Sequence, residues 1–197
     1  MTASNLVAIG LRAKTARAIL VVLGGTIDSP RVLVKTEIKL ADPKIPGTAQ
    51  PYHEVMDLPW PESQKAARKY GTAIEAIASK AIARIIEEQQ SQGMLVCAAG
   101  IVGAKDRDLS RIGNSHIRAH AAEGILFRRV LDSAAEVNNL RWRAFSEREF
   151  EQIVKSELGS RAAAIRQKLN GLGKTLEPPW RADEKLAATA AWLVLHS

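Results

Sequence analysis

Residues 31–40 alternate: Val32, Val34, Thr36, Ile38 and Leu40 share one side, and Lys35, Glu37 and Lys39 the other. A period of two marks a half-buried strand, because successive side chains leave a strand on opposite faces. Two apolar stretches precede it, Leu6-Val7-Ala8-Ile9 and a segment from Ala16 to Leu23 carrying Ile19, Leu20, Val21 and Val22. Gly24-Gly25 and Asp28-Ser29-Pro30 punctuate the last gap, so the first forty residues read as a three-stranded meander. A sheet that begins this way needs other elements to cover its apolar face.

The remainder supplies them. Pro43, Pro46, Pro51, Pro59 and Pro61 crowd the stretch 41–61, which reads as an extended crossover loop. Glu62 or Ser63 then caps a helix running to about Gln92. Ile74, Ile77, Ala78, Ala81, Ile82, Ile85 and Ile86 form its apolar stripe, and Gly93 stops it. Met94-Leu95-Val96-Cys97-Ala98-Ala99 is continuously apolar, the pattern of a central strand buried on both faces. A polar loop, Gly103 to Gly113, leads into a helix over 114–133, and a short strand follows over 138–145. Ser146 and Glu149 have the spacing of a capping box for the next helix, which breaks at Gly159-Ser160 and resumes to Leu169. Beyond Pro178-Pro179, Ala182–Leu195 is a last apolar helix. The order predicts a mixed α/β sheet with helices on its faces, one domain over residues 1–197.

Composition narrows the function classes. The single cysteine, Cys97, excludes a disulfide framework and a four-cysteine zinc site. No apolar run is long enough to span a bilayer, and Met1 to Asn5 carry no basic n-region, so a cytoplasmic protein without a membrane partner is expected. With 28 Lys+Arg against 21 Asp+Glu the chain carries +7, which favours a polyanionic partner such as DNA or RNA.

Several local patterns invite chemistry. His116, His120 and Glu123 fall at i, i+4 and i+7 on one helix face, a spacing that suits zinc. Ile117 stands where a zinc protease needs its general base, and the three are read as solvated, with Glu123 paired to a nearby arginine. Gly171-Leu172-Gly173-Lys174-Thr175 imitates a phosphate-binding loop, but Lys168 occupies the place of the required earlier glycine. Cys97 reads as a buried, inert thiol. Trp192 suits a core face, and Trp142, between Arg141 and Arg143, is expected to point inward.

The element order resembles the ribonuclease H-like fold, and three segments resemble the RuvC type of Holliday-junction resolvase within it. These are Ile82–Glu88 running into Met94-Leu95-Val96, the small-residue helix Ala119–Val130 with Gly124, and Arg181-Ala182-Asp183-Glu184-Lys185-Leu186-Ala187-Ala188. The last is similar to the closing helix that delivers catalytic carboxylates. The resemblance implies two-metal phosphodiester hydrolysis, with acids on the first strand, at the end of the fourth and on the last helix. This sequence departs from that pattern. Ile9 is followed by Gly10-Leu11-Arg12-Ala13-Lys14 where the family's first acid is expected, and strand four reads Cys97-Ala98-Ala99-Gly100 instead of ending in Glu. Asp183 and Glu184 are the residual catalytic carboxylates, facing Arg12 and Lys14, with which an ion pair is expected. A different alignment would make Asp28 or Glu37 the first acid.

Arg12, Lys14 and Arg17 on the first hairpin, with Lys105, Arg107 and Arg111 after the buried strand, are the candidate nucleic-acid contacts, partly balanced by Asp106 and Asp108. The expectation is a catalytically degenerate RuvC-like protein, a homodimer as the resemblance implies, that binds nucleic acid or serves a structural role. It needs no metal or other cofactor. The alternatives are an active magnesium-dependent endonuclease, which would require Mg2+, and a protein-interaction module.

Overall fold

A computed structural model describes residues 5–196. Met1–Ser4, on which much of the expectation of no export signal rests, lie outside the described residues. No helix among those described is long and apolar enough to cross a membrane.

Five strands form one mixed sheet: β1 (Leu6–Lys14), β2 (Arg17–Gly25), β3 (Pro30–Lys39), β4 (Leu95–Gly103) and β5 (Arg141–Ser146), in the order β3-β2-β1-β4-β5. The first three are antiparallel, while β4 runs parallel to β1 and β5 parallel to β4. This is the ribonuclease H-like architecture expected from the element order. The helices are α1 (Trp60–Ser91), α2 (Ser115–Val137), α3 (Phe150–Leu158), α4 (Ala162–Gly171) and α5 (Ala182–Leu195). One core lies between the sheet and α1 with α2, around Ile9, Leu11, Ile74, Ile82 and Phe127. The other lies beneath α3, α4 and α5, around Ala8, Val21, Val102, Phe145 and Trp192.

Local differences from the sequence reading have physical causes. β1 runs past Ile9 to Lys14, and β4 past Ala99 to Gly103, because glycine at 10 and 100 leaves room for a helix without ending either strand. The alternation of β3 is not uniform. A register shift opposite Val22/Leu23 puts Val32 with the α5-side core, whereas Val34 and Ile38 pack on the α1 side. Helix α1 starts at Trp60 with Pro61 in its first turn, where the missing N–H is no loss. The proline-rich segment is folded too, with a 3-10 turn over Pro46–Thr48 and further turns before α1, and the hydroxyl of Ser63 in that helix donates back to Val55 O at 2.8 Å. Asn114 caps α2, its Oδ1 accepting from Ile117 N–H at 2.9 Å, and Asn139 turns the chain out at φ 56° before β5. The expected Ser146–Glu149 capping box does not form: Ser146 closes β5, and α3 begins at Phe150 without a side-chain cap.

The seat of α5 positions the site. Gly10 and Gly100 are paired across β1 and β4. A Cβ on Gly10 would lie 1.8 Å from the carbonyl oxygen of Ala187, and one on Gly100 would lie 2.5 Å from that of Ala190. Ala187, Ala188, Ala190 and Ala191 are fully buried. Small residues on both sides thus let a helix backbone rest directly on the sheet.

Candidate functional site

Because β1, β4 and β5 are parallel, their C-terminal ends share one edge, and the first turn of α5 arrives at that edge. Arg12, near the end of β1, is only 5% exposed and pairs across the strands with Val102. Its guanidinium forms an ion pair with Glu147, just after β5, and its Nε lies 3.4 Å from Asp183 Oδ1. It also donates to Ala13 O at 2.8 Å. Lys14 Nζ stands 3.0 Å from Asp183 Oδ2, so both oxygens of Asp183 face cations. The ion pair expected from the sequence is present. Glu184 turns away: it is buried, and its carboxylate accepts from Arg181 N–H at 2.8 Å, closing the N-terminus of α5.

Among the described residues no acid of β1 or β4 joins Asp183 at this edge. β4 ends Ile101-Val102-Gly103. Glu37 pairs with Arg17 on the far hairpin strand. Asp28 lies in the β2–β3 turn and binds Lys168 at 2.9 Å, which holds its carboxyl below the usual range. Glu147 is the residue that sequence reasoning missed. It stands 135 positions from Arg12 in the chain, and its place directly after a parallel strand is the one signal that could have found it.

Beside this cluster a cleft of about 390 Å³ opens between the loop after β4 and the turn after β5. Lys105, Arg107 and Arg148 line it, with Asp106, Glu147 and Glu149 interleaved. Lys105 binds Glu149 at 2.8 Å, and this contact lowers the Glu149 carboxyl. Asp106 is taken by Arg128 and Arg129. Among the described residues Arg107, Arg111 and Arg148 form no ion pair. The six basic candidates therefore divide: Arg12 is buried, Arg12 and Lys14 share Asp183, Arg17 and Lys105 have acidic partners, and Arg107 and Arg111 are free.

Other sequence expectations fall into place or are corrected. Glu123 is not on a solvated face and has no arginine. The folded segment after Pro46 packs over α2, and Glu123 is fully buried, bound to His53 Nδ1 at 2.8 Å. Trp142 is 39% exposed rather than inward, because β5 is an edge strand with limited cover on that face. Arg143 instead lies over Phe145 and pairs with Glu157. Cys97 is half-buried rather than buried, and what burial it has pushes its thiol up, in keeping with an unreactive side chain. Gly171 ends α4, and Leu172–Lys174 is a single 3-10 turn rather than a phosphate loop.

No protein-family model matches the sequence, and no curated protein matches it. Solved structures do. The RuvC structure from Thermus thermophilus is similar at 13% identity with a TM-score of 0.51, over 94% of this chain and 90% of that one. The same protein in complex with a Holliday junction substrate gives a TM-score of 0.49 over the same shares. At that identity the likeness concerns the backbone: the chain has the ribonuclease H-like fold in the form seen in RuvC.

Proposed function

We propose that this is a RuvC-like protein whose ion-binding centre is degenerate, and that it binds nucleic acid along the edge formed by β1, β4 and β5 without cutting it. The observation that carries the reading is Arg12. A guanidinium stands at the end of β1, between the carboxylates of Glu147 and Asp183, and Lys14 takes the remaining oxygen of Asp183. Magnesium needs several hard oxygen ligands free of competing cations, and this donor set does not fit it. Arg107 and Arg148 offer unpaired positive charge on the wall of the cleft, Arg111 adds another in the loop after β4, and the whole chain carries +7. Such charge attracts phosphates by releasing their condensed counterions. In this reading Lys14, Lys105, Arg107 and Arg111 face the polyanion, Arg12 silences Asp183, and two copies pair as a homodimer in the cytoplasm.

The test is a labelled four-way DNA junction titrated with protein across a salt series, with and without magnesium. Binding that weakens steeply with salt and leaves the DNA intact supports the proposal. Replacing Arg107 and Arg111 by alanine then lowers the slope against log salt by about one for each phosphate that is no longer neutralised. Magnesium-dependent cleavage abolished by Asp183→Asn would establish an endonuclease instead. No binding at low salt, with a stable complex on a sizing column, would make the protein an interaction module.

A further inference from the structure

Three of the four histidines in the chain meet at one place. His53 comes from the turns between β3 and α1, and His116 and His120 sit one turn apart at the start of α2. One ring nitrogen from each lies within 4.8 Å of the others, and the Nε2 atoms of His116 and His120 are 3.1 Å apart. An ion bound tetrahedrally at 2.0–2.1 Å would need nitrogens roughly 3.3 Å apart. One edge of that figure is already set, and His116 and His120 are exposed, which leaves their rings free to turn.

Glu123 gives this cluster its direction. Its carboxylate is fully buried and accepts from Tyr52 N–H at 3.3 Å, His53 N–H at 3.2 Å and His53 Nδ1 at 2.8 Å. A carboxylate only accepts, so the proton of the neutral His53 ring is held on Nδ1 and the lone pair is on Nε2. That Nε2 is buried and has no hydrogen-bond partner. A carboxylate–histidine pair of this kind is how proteins orient an imidazole toward a metal. Among the described residues no lysine or arginine pairs with Glu123, and its one side-chain partner is the His53 ring. A cation at Nε2 would therefore supply the positive charge that a buried carboxylate needs.

We propose that His53, His116 and His120 bind one transition-metal ion of the zinc class, with Glu123 positioning His53. Imidazole nitrogens suit zinc, cobalt, nickel or copper and exclude magnesium, which takes oxygen ligands. Three protein ligands leave a fourth position for water or an anionic oxygen. His120 also lines the cleft that holds Lys105 and Arg107, so that position belongs to the same face of the molecule. The site depends on no property of the Asp183 cluster.

Full-length protein without a polyhistidine tag is dialysed against micromolar zinc and measured for bound metal, and cobalt(II) is titrated with its visible absorption recorded. One equivalent of zinc and the intense visible bands of four-coordinate cobalt are expected. The exposed double variant H116A/H120A should lose both while its circular dichroism is unchanged. Glu123→Gln should weaken zinc by about 10–100-fold. Equal zinc binding by the wild type and H116A/H120A would overturn the site, as would no binding by either. Unchanged affinity in a folded Glu123→Gln would overturn the positioning role.

Discussion

Arg12 and Asp183 show how a single side chain sets the character of the strand-end cluster. Arg12 is buried and holds two carboxylates, whereas the Asp183 side chain is one-third exposed and also has Lys14. Removing the buried charge leaves behind two carboxylates that reach solvent and should cost little, while removing Asp183 leaves the buried guanidinium with Glu147 alone and should cost more. Arg12→Met is expected to change the unfolding free energy by less than about 1 kcal/mol, and Asp183→Ala to lose about 1–2 kcal/mol, discounted for solvent at Asp183. Urea unfolding of both variants checks the ranking, and a larger loss in Arg12→Met would reverse it. Asp132 poses the opposite problem. Burial raises its carboxyl to about 6 despite the Arg128 guanidinium, since Oδ2 meets Arg128 but Oδ1 is buried without a partner. The folded state then holds this proton more tightly than the unfolded chain, whose carboxyl titrates near 3.8. Its contribution to stability is complete below about pH 4 and is lost as the pH rises to about 6. Asp132→Asn should flatten that part of the stability profile relative to wild type, as chemical denaturation at several pH values would record.

At the scale of elements, the contact of α5 with β1 and β4 is the most exacting in the molecule. Alanine at position 10 would drive its methyl into the Ala187 carbonyl, which is backbone and cannot rotate aside. Gly10→Ala should therefore destabilise the fold by at least about 3 kcal/mol, at or beyond the usual cost of overpacking. Gly93→Ala makes a useful contrast, because its Cβ would meet nothing within 4 Å and any loss there comes from its φ of 75° alone. Thermal unfolding of the two variants separates packing from backbone strain. The sequence announced α5 by its apolar run and the strands by their bulk, and their type followed. What it did not announce was the close approach, since a glycine inside an apolar strand signals either a break or an intimate neighbour. The apolar run Leu6–Ile9 by itself stops five residues short of the end of β1 at Lys14.

For the molecule as a whole, the element order was legible because each strand and helix carries its own period. Where those elements meet was legible only in part. The basic residues on the first hairpin and the loop after β4 do reach one edge, since β1 and β4 are parallel neighbours. Glu147 and His53 were invisible because their partners are contributed by distant segments: Glu147 answers Arg12, and His53 answers Glu123 across 70 positions. His53 also sat in a proline-dense stretch that reads as open loop, and only folding of that stretch over α2 buries Glu123. The flush seating of α5 carries one more consequence. With backbone laid against backbone, the tip of β1 has no slack to take up, so whatever side chain occupies position 12 is presented at nearly the same spot. The frame behaves as a fixed socket, and exchanging its contents rewrites the chemistry at that edge while the architecture stays still.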